Sequence, residues 1–273
     1  MSAMKRLFQV MAEKKASDIF LSVGAPINIK INGVAVPVNQ TVLNADAVKQ
    51  LLYEVLIERQ IKEYEEEMEL NTAYALEGVG AFRISAFRQK GTPAVVVRFI
   101  PGSVPAFDTL GLPEVLKELI LQKRGLMLMV GATGSGKSTS LAAMLDLRNE
   151  QKSGHILTLE DPVEFIFKNK KSIVNQREVG TDTKSFETAL KNALRQAPDC
   201  ILIGEIRDKQ TMGMALAYAQ SGHLALATLH ANNSYHAMNR IISFYPLENR
   251  PTLLLDLSAA LQAIISQRLV RTK

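Results

Sequence analysis

The sequence predicts a mixed α/β protein, a small α+β domain followed by an α/β domain with a largely parallel sheet. Three observations lead there. Up to about residue 100, alternating runs flank one acidic helical stretch. From Leu112 onward, short apolar runs alternate with helix-length segments. Between them IPGSVPAFDTLGLP, 100–113, breaks the periodicity with three prolines and two glycines. The expected division is 1–100 for the first domain, 101–111 for a linker and 112–273 for the second.

The elements follow in order. MSAMKRLFQVMAEKKAS opens the chain with charges too closely spaced for a secretory signal, and Leu7, Val10 and Met11 mark an amphipathic helix packed on its own domain. INIKING (27–33) reads as a strand, the acidic segment around 45–70 as helix, and AFRISAF (81–87) and AVVVRFI (94–100) as strands. The acid run EEEME (65–69) is expected to be a solvated helix face rather than a metal site. LPEVLKELILQ (112–122) lines up Leu112, Val115, Leu116, Leu119 and Ile120 on one helical stripe, and LMLMV (126–130) is a buried strand. Further strands are expected at 156–159, 200–203 and 224–228, and helices at 137–150, 183–196, 208–220, 233–243 and 252–268.

Composition narrows the classes. With 273 residues, 47% hydrophobic and 22% charged, the chain has material for one large or two modest domains with real cores, which argues against disorder as its dominant state. A net charge of +5, spread over both halves, can serve phosphate ligands or an acidic partner surface. Without a basic tail or any tryptophan, it argues against a nucleic-acid translocase. No apolar stretch nears the about 18 residues of a membrane span. The single cysteine, Cys200, lies in an apolar run, which implies a buried, inert thiol.

The strongest chemical signal is GATGSGKS, 131–138, a G-x-x-x-x-G-K-[ST] loop set between an apolar strand and a helix. Gly131, Gly134 and Gly136 allow the backbone to close around phosphates, with Ala132, Thr133 and Ser135 supplying further amide groups. Lys137 can reach the β- and γ-phosphates, Ser138 can offer its hydroxyl to Mg²⁺, and Thr139 continues the helix whose positive end faces the anion. This pattern predicts nucleotide binding.

Polar strand ends supply the other candidates. CILIGEIRD, 200–208, ends its apolar run on Gly204 and Glu205, where many ATPases place an aspartate for magnesium. Either the site is dead or Glu205 has taken over that task. ILTLEDPVEF, 156–165, closes a second run with Glu160, Asp161 and Glu164, and ligands of α/β sheets collect at such carboxyl ends. Glu160 can orient an attacking water; capping by Asp161 and Glu164 is the alternative for this cluster. In SGHLALATLHANN, 221–233, His230 ends a third strand, where it can sense the γ-phosphate or serve structure alone.

Together, ASDIFLSVGAP, FRISAFRQ, VGATGSGKSTSLAAML, LEDPVEF, QREVG, LRQAPDCILIGEIRD, SGHLALATLHANN and ISFYP resemble the type IV pilus retraction ATPases of the secretion-ATPase superfamily across nearly the whole chain. RQAPDCILIGEIRD and TLHANNSYHAMNRIISFYP look closer to PilU-type accessory motors than to PilT-type main motors. The resemblance implies a PAS-like N-terminal domain, a RecA-like C-terminal domain and assembly as a homohexamer. It implies that Glu205 holds Mg²⁺ with Ser138, that Glu160 activates water, and that His230 belongs to the family's histidine box.

The same resemblance assigns arginines of the first domain to the nucleotide. Arg83 and Arg98 match that region, although surface ion pairing is their ordinary reading. Ala81 and Gly91 stand where many PilT-type motors carry arginine and Arg88 is added nearby, so which arginines act stays open. Implied partners are an inner-membrane platform protein and a PilT-type main retraction ATPase, at the cytoplasmic face of the inner membrane and without nucleic acid. An accessory ring supporting another motor is the second reading. The chain stops at SQRLVRTK where family members continue with further helices, including an AIRNLI-like segment implicated in retraction, so a shortened C-terminal end is expected.

Overall fold

The computed structural model describes residues 2–101 and 103–270. Gly102 of the expected linker, and residues 271–273 on which the expectation of a shortened ending falls, lie outside the described residues. The chain forms two compact units, Met1–Ser103 and Val104–Lys273.

The N-terminal unit runs α1 (Ala3–Glu13), β1 (Asp18–Ser22), β2 (Pro26–Ile31), β3 (Val34–Val42), α2 (Ala45–Tyr53), α3 (Glu58–Glu67), β4 (Glu69–Leu76), β5 (Gly80–Gln89) and β6 (Thr92–Pro101). Its six strands form one antiparallel sheet in the order β3-β2-β1-β6-β5-β4. Helix α1 is amphipathic as expected: Met4, Leu7, Phe8 and Met11 are buried, and Phe8 stacks on Phe82 with ring centroids 4.0 Å apart. In β5 the period of two puts Phe82, Ile84 and Ala86 into the core and Arg83 on the opposite face.

Two local expectations change in this unit. The stretch 45–70 is two helices and the start of a strand, because α2 ends at Glu54 and the chain turns extended at Ile57. The acid run is not wholly solvated. Glu65 accepts from Lys49 Nζ at 2.9 Å and also pairs with Tyr53 and Arg88. Its carboxyl is held down to about 2, first by the Tyr53 hydroxyl and then by Lys49. Arg88, drawn to Glu65 and lying over the Tyr64 ring, is thereby tied to its own domain.

The C-terminal unit runs α4 (Val115–Ile120), β7 (Gly125–Val130), α5 (Lys137–Gln151), β8 (Gly154–Glu160), β9 (Ser172–Glu178), α6 (Phe186–Ala193), β10 (Cys200–Ile203), α7 (Lys209–Gln220), β11 (Leu224–Leu229), α8 (Ser234–Ser243), α9 (Arg250–Ala260) and β12 (Leu261–Ser266). Its sheet has the order β12-β7-β11-β10-β8-β9, and every pairing is parallel. All carboxyl ends therefore lie along one edge.

Both faces of this sheet are covered, which explains its continuous apolar runs. Leu126, Leu128 and Val130 of β7 point to a core shared with α6, α7, α8 and α9; Met127 and Met129 point to a second core with α4 and α5. Burial pushes the Cys200 thiol up to about 12, as an inert thiol requires. The expected helix 252–268 is a correction: only Arg250–Ala260 is helical, and Leu261–Ser266 forms β12 beside β7. Ile264 and Ile265 suit a strand, and pairing with β7 satisfies backbone groups along that edge. Among the described residues, no helix is long and apolar enough to cross a membrane.

Candidate active site

The loop between β7 and α5 is shaped by glycines at positive φ. At Gly131, φ is 154°, and a Cβ would sit 2.4 Å from the Gln267 carbonyl oxygen and 2.6 Å from Ser135 Oγ. Gly136, at φ 88°, caps α5 without a side chain, so the first-turn N–H groups and the positive helix end face the loop. Ser135 Oγ is buried with no hydrogen-bond partner. Lys137 Nζ donates to the carbonyls of Gly131 at 2.8 Å and Ala132 at 3.0 Å. Burial pushes its ammonium below the ordinary lysine value, against the pull of Glu205 and Glu164.

The neighbouring strand ends bring carboxylates to the same edge. At the end of β10, Gly204 N donates to the Leu159 carbonyl at 2.7 Å. A Cβ on Gly204 would lie 3.1 Å from that oxygen and 3.3 Å from the Glu160 Cα. Glycine therefore stands there because β10 and β8 close up at their tips. Glu205, next in the chain, accepts from Arg207 Nε at 2.7 Å and pairs with His230 Nε2 at 3.1 Å, while Arg207 also approaches Asp161 at 3.6 Å. Replacing Gly204 by alanine is expected to cost about 1–3 kcal/mol through overpacking at this junction. Urea unfolding checks it, and a fully stable variant would mean the tips are not held together.

Glu160 is 9% exposed at the end of β8. Its Oε1 accepts from Thr158 Oγ1 at 2.6 Å and Gln176 Nε2 at 3.3 Å, and its Oε2 from the Glu164 N–H at 3.4 Å. Burial raises the carboxyl above its ordinary 4.5, opposed by those three donors. Asp161, bonded to a cis Pro162, is turned toward Arg207.

The structure thus groups the glycine loop, Lys137, Glu205, His230 and Glu160 along one sheet edge. Ser138 and Thr139 occupy the first turn of α5. An open cleft of about 680 Å³ adjoins the group, bounded by Gly131, Ala132, Thr133, His230 and the α8 residues His236 and Arg240. Arg83 and Arg98 belong to the N-terminal unit. They are direct cross-strand partners on the face of β5 and β6 away from the core, and Arg98 Nε donates to Asp18 at 2.9 Å. Sequence reasoning missed Arg207, Gln176 and Gln267. Gln176 lies in QREVG, one of the motifs that carry the family resemblance, but Gln267 carries no local signal.

For a nucleotide the fit is good: Gly134, at φ 77°, has open space where a Cβ would stand, and the buried Ser135 hydroxyl of the same loop has no hydrogen-bond partner. For a metal, no group of three or more His, Cys, Asp or Glu forms a cage among the described residues. One hydroxyl, Ser138, and one carboxylate, Glu205, with ligand phosphates would instead suit Mg²⁺, which keeps few protein ligands.

Comparison with known proteins agrees with this geometry. The family described as "Type II/IV secretion system protein" matches residues 1–273. The type IV pilus ATPase PilU of Pseudomonas aeruginosa is 48% identical over 268 residues, covering 98% of this chain and 70% of that protein. The type IV pilus retraction ATPase PilT of the same organism is 42% identical over 265 residues, covering 97% and 77%. Among solved structures, the pilus retraction motor PilT with bound ADP superposes with a TM-score of 0.93 at 43% identity, covering 99% of this chain and 79% of that one. The Legionella pneumophila ATPase DotB gives 0.84 at 28% identity, covering 98% and 75%.

Proposed function

The chain belongs to the type II/IV secretion system protein family, and on that premise we propose that it is a type IV pilus retraction ATPase of PilU type. It is an ATP hydrolase. The observation that carries this reading is the placement of the glycine loop, Glu205 and Glu160 along the carboxyl edge of one parallel sheet, with β10 and β8 adjoining and β7 one strand away from β10.

In hydrolysis, water attacks the γ-phosphorus in line, the bond to the β,γ-bridging oxygen breaks, and ADP and phosphate leave. Glu160 takes the proton of that water. Lys137 neutralises charge on the phosphate oxygens, and the amide groups of 131–136 hold the β-phosphate. Ser138 and Glu205 would hold Mg²⁺, whose positive charge would offset that of the phosphates. His230, paired with Glu205, ties the end of β11 to the same carboxylate.

Assembly as a homohexamer belongs to the proposal, with Arg83 or Arg98 delivered to a nucleotide at a subunit boundary. Their shared position on the non-core face of the N-terminal sheet supports this. Contact with a platform protein and a PilT-type motor at the cytoplasmic face of the inner membrane is part of the same proposal. An arginine acting in this way contributes about 10³–10⁵ in rate. Specific ATPase activity, followed against protein concentration with mass from light scattering, is expected to rise with ring formation and to collapse in Arg83→Ala or Arg98→Ala. Full-size rings whose slow turnover ignores both substitutions would favour the accessory-ring reading.

A further inference from the structure

Strand β9 carries no glycine loop and ends in no residue that the reaction above uses, yet it holds the segment after Glu160 at three points. Gln176 Nε2 donates to the Phe165 carbonyl at 2.7 Å, Gln176 Oε1 accepts from the Phe167 N–H at 2.9 Å, and Glu178 Oε2 accepts from the Val163 N–H at 3.0 Å. The two backbone partners of Gln176 fix which end of its amide is which, since a carbonyl needs the donor and an N–H the acceptor. The remaining donor capacity of Nε2 is then aimed at Glu160 Oε1, 3.3 Å away.

The Glu160 carboxylate is consequently asymmetric. Oε1 receives Thr158 Oγ1 at 2.6 Å as well as Gln176, whereas Oε2 receives only the long backbone contact from Glu164 at 3.4 Å among the described residues. An oxygen with two side-chain donors is the less basic one. We propose that Gln176 is a positioning residue for hydrolysis: with Thr158 it occupies Oε1 of Glu160, which leaves Oε2 as the oxygen that takes the proton from water. This rests on Glu160 being the base.

The charges around the carboxylate do not do this work. Glu164 acts on it through space. Glu178, its register partner on β9, is turned to Val163 N and Thr181 Oγ1. From the β10 side the tip is Gly204, and Glu205 beyond it is engaged by Arg207 and His230. Arg207 also faces Asp161.

The test is the single-turnover hydrolysis rate of the full chain as a function of pH, with ADP affinity measured alongside. Gln176→Met keeps length but removes the donor, so ionisation of Glu160 becomes harder and the acidic limb should move up by about one pH unit. Gln176→Glu should move it further up through a like charge, and ADP affinity should stay within about twofold in both because the glycine loop is untouched. Thr158→Val addresses the same oxygen from β8 and must shift the limb in the same direction, which keeps the proposal testable if a β9 variant does not fold. Rates that fall equally at every pH, with the limb unmoved in Gln176→Met or Thr158→Val, would overturn it and leave Gln176 as loop structure alone. If Glu160→Gln itself retains turnover and limb, it is the assignment of the base that fails.

Discussion

Replacing Glu160 by glutamine is expected to lower ATP turnover by about 10²–10⁴-fold, the usual contribution of a positioned base. Glutamine keeps the volume and can still accept from Thr158 Oγ1, so β8 and its neighbours should stay in place. Nucleotide affinity should change little, because Glu160 stands on β8 and the phosphate-holding groups on the β7–α5 loop. The pH dependence has a defined sign. Only the ionised carboxylate accepts a proton, and burial raises its pKa above 4.5, so activity is lost as pH falls through a limb displaced upward from an ordinary glutamate. Steady-state turnover from acid to neutral pH, with ADP titration calorimetry on the same preparations, measures both. Turnover within tenfold of the parent would remove Glu160 from the reaction.

Lys137→Ala is expected to cost about 10²–10³ in turnover, the scale of removing one preorganised group that meets developing charge. It should also weaken ADP binding, unlike the change at Glu160. The lysine serves the loop twice: its ammonium bridges the carbonyls of Gly131 and Ala132, and it balances Glu205 and Glu164. Alanine loses that bridge and removes the cation that the loop itself sets against Glu205 and Glu164, leaving Arg207 as the cation on Glu205. Lys137→Arg should not rescue, since a planar fork does not replace a compact ammonium aimed at two loop oxygens. Equal ADP affinity in parent and Lys137→Ala would mean that the loop binds by its amide groups alone.

Gly204 and Glu205 mark where reading a sequence stops. Periodicity located β10 and its polar end, and the family resemblance nominated Glu205. Why glycine precedes it became clear only when β8 was placed alongside, with Glu160 Cα 3.3 Å from where a Cβ would be. Strands β9 and β12 were missed for a related reason. SIVNQRE in β9 alternates only weakly, and LQAIIS in β12 follows α9 directly, so an apolar run looks like more helix until β7 offers its edge. Arg88 looked like one more cation near the functional arginines. Packing gave it to Glu65 and the Tyr64 ring.

What the sequence by itself determined is the chemistry written in contiguous residues: the glycine loop with Lys137 and Ser138, the apolar strands, the amphipathic first helix and the acidic strand ends. Such features depend on torsions and side chains within about one turn or strand, so neighbours in the chain suffice to specify them. Tertiary structure alone decided which strand ends meet, that Gly204 lies tight against the tip of β8, and that Gln176 and Thr158 share one oxygen of Glu160. Those facts follow from the strand order β12-β7-β11-β10-β8-β9, which is set by long-range parallel pairing and two-sided burial rather than by any local pattern.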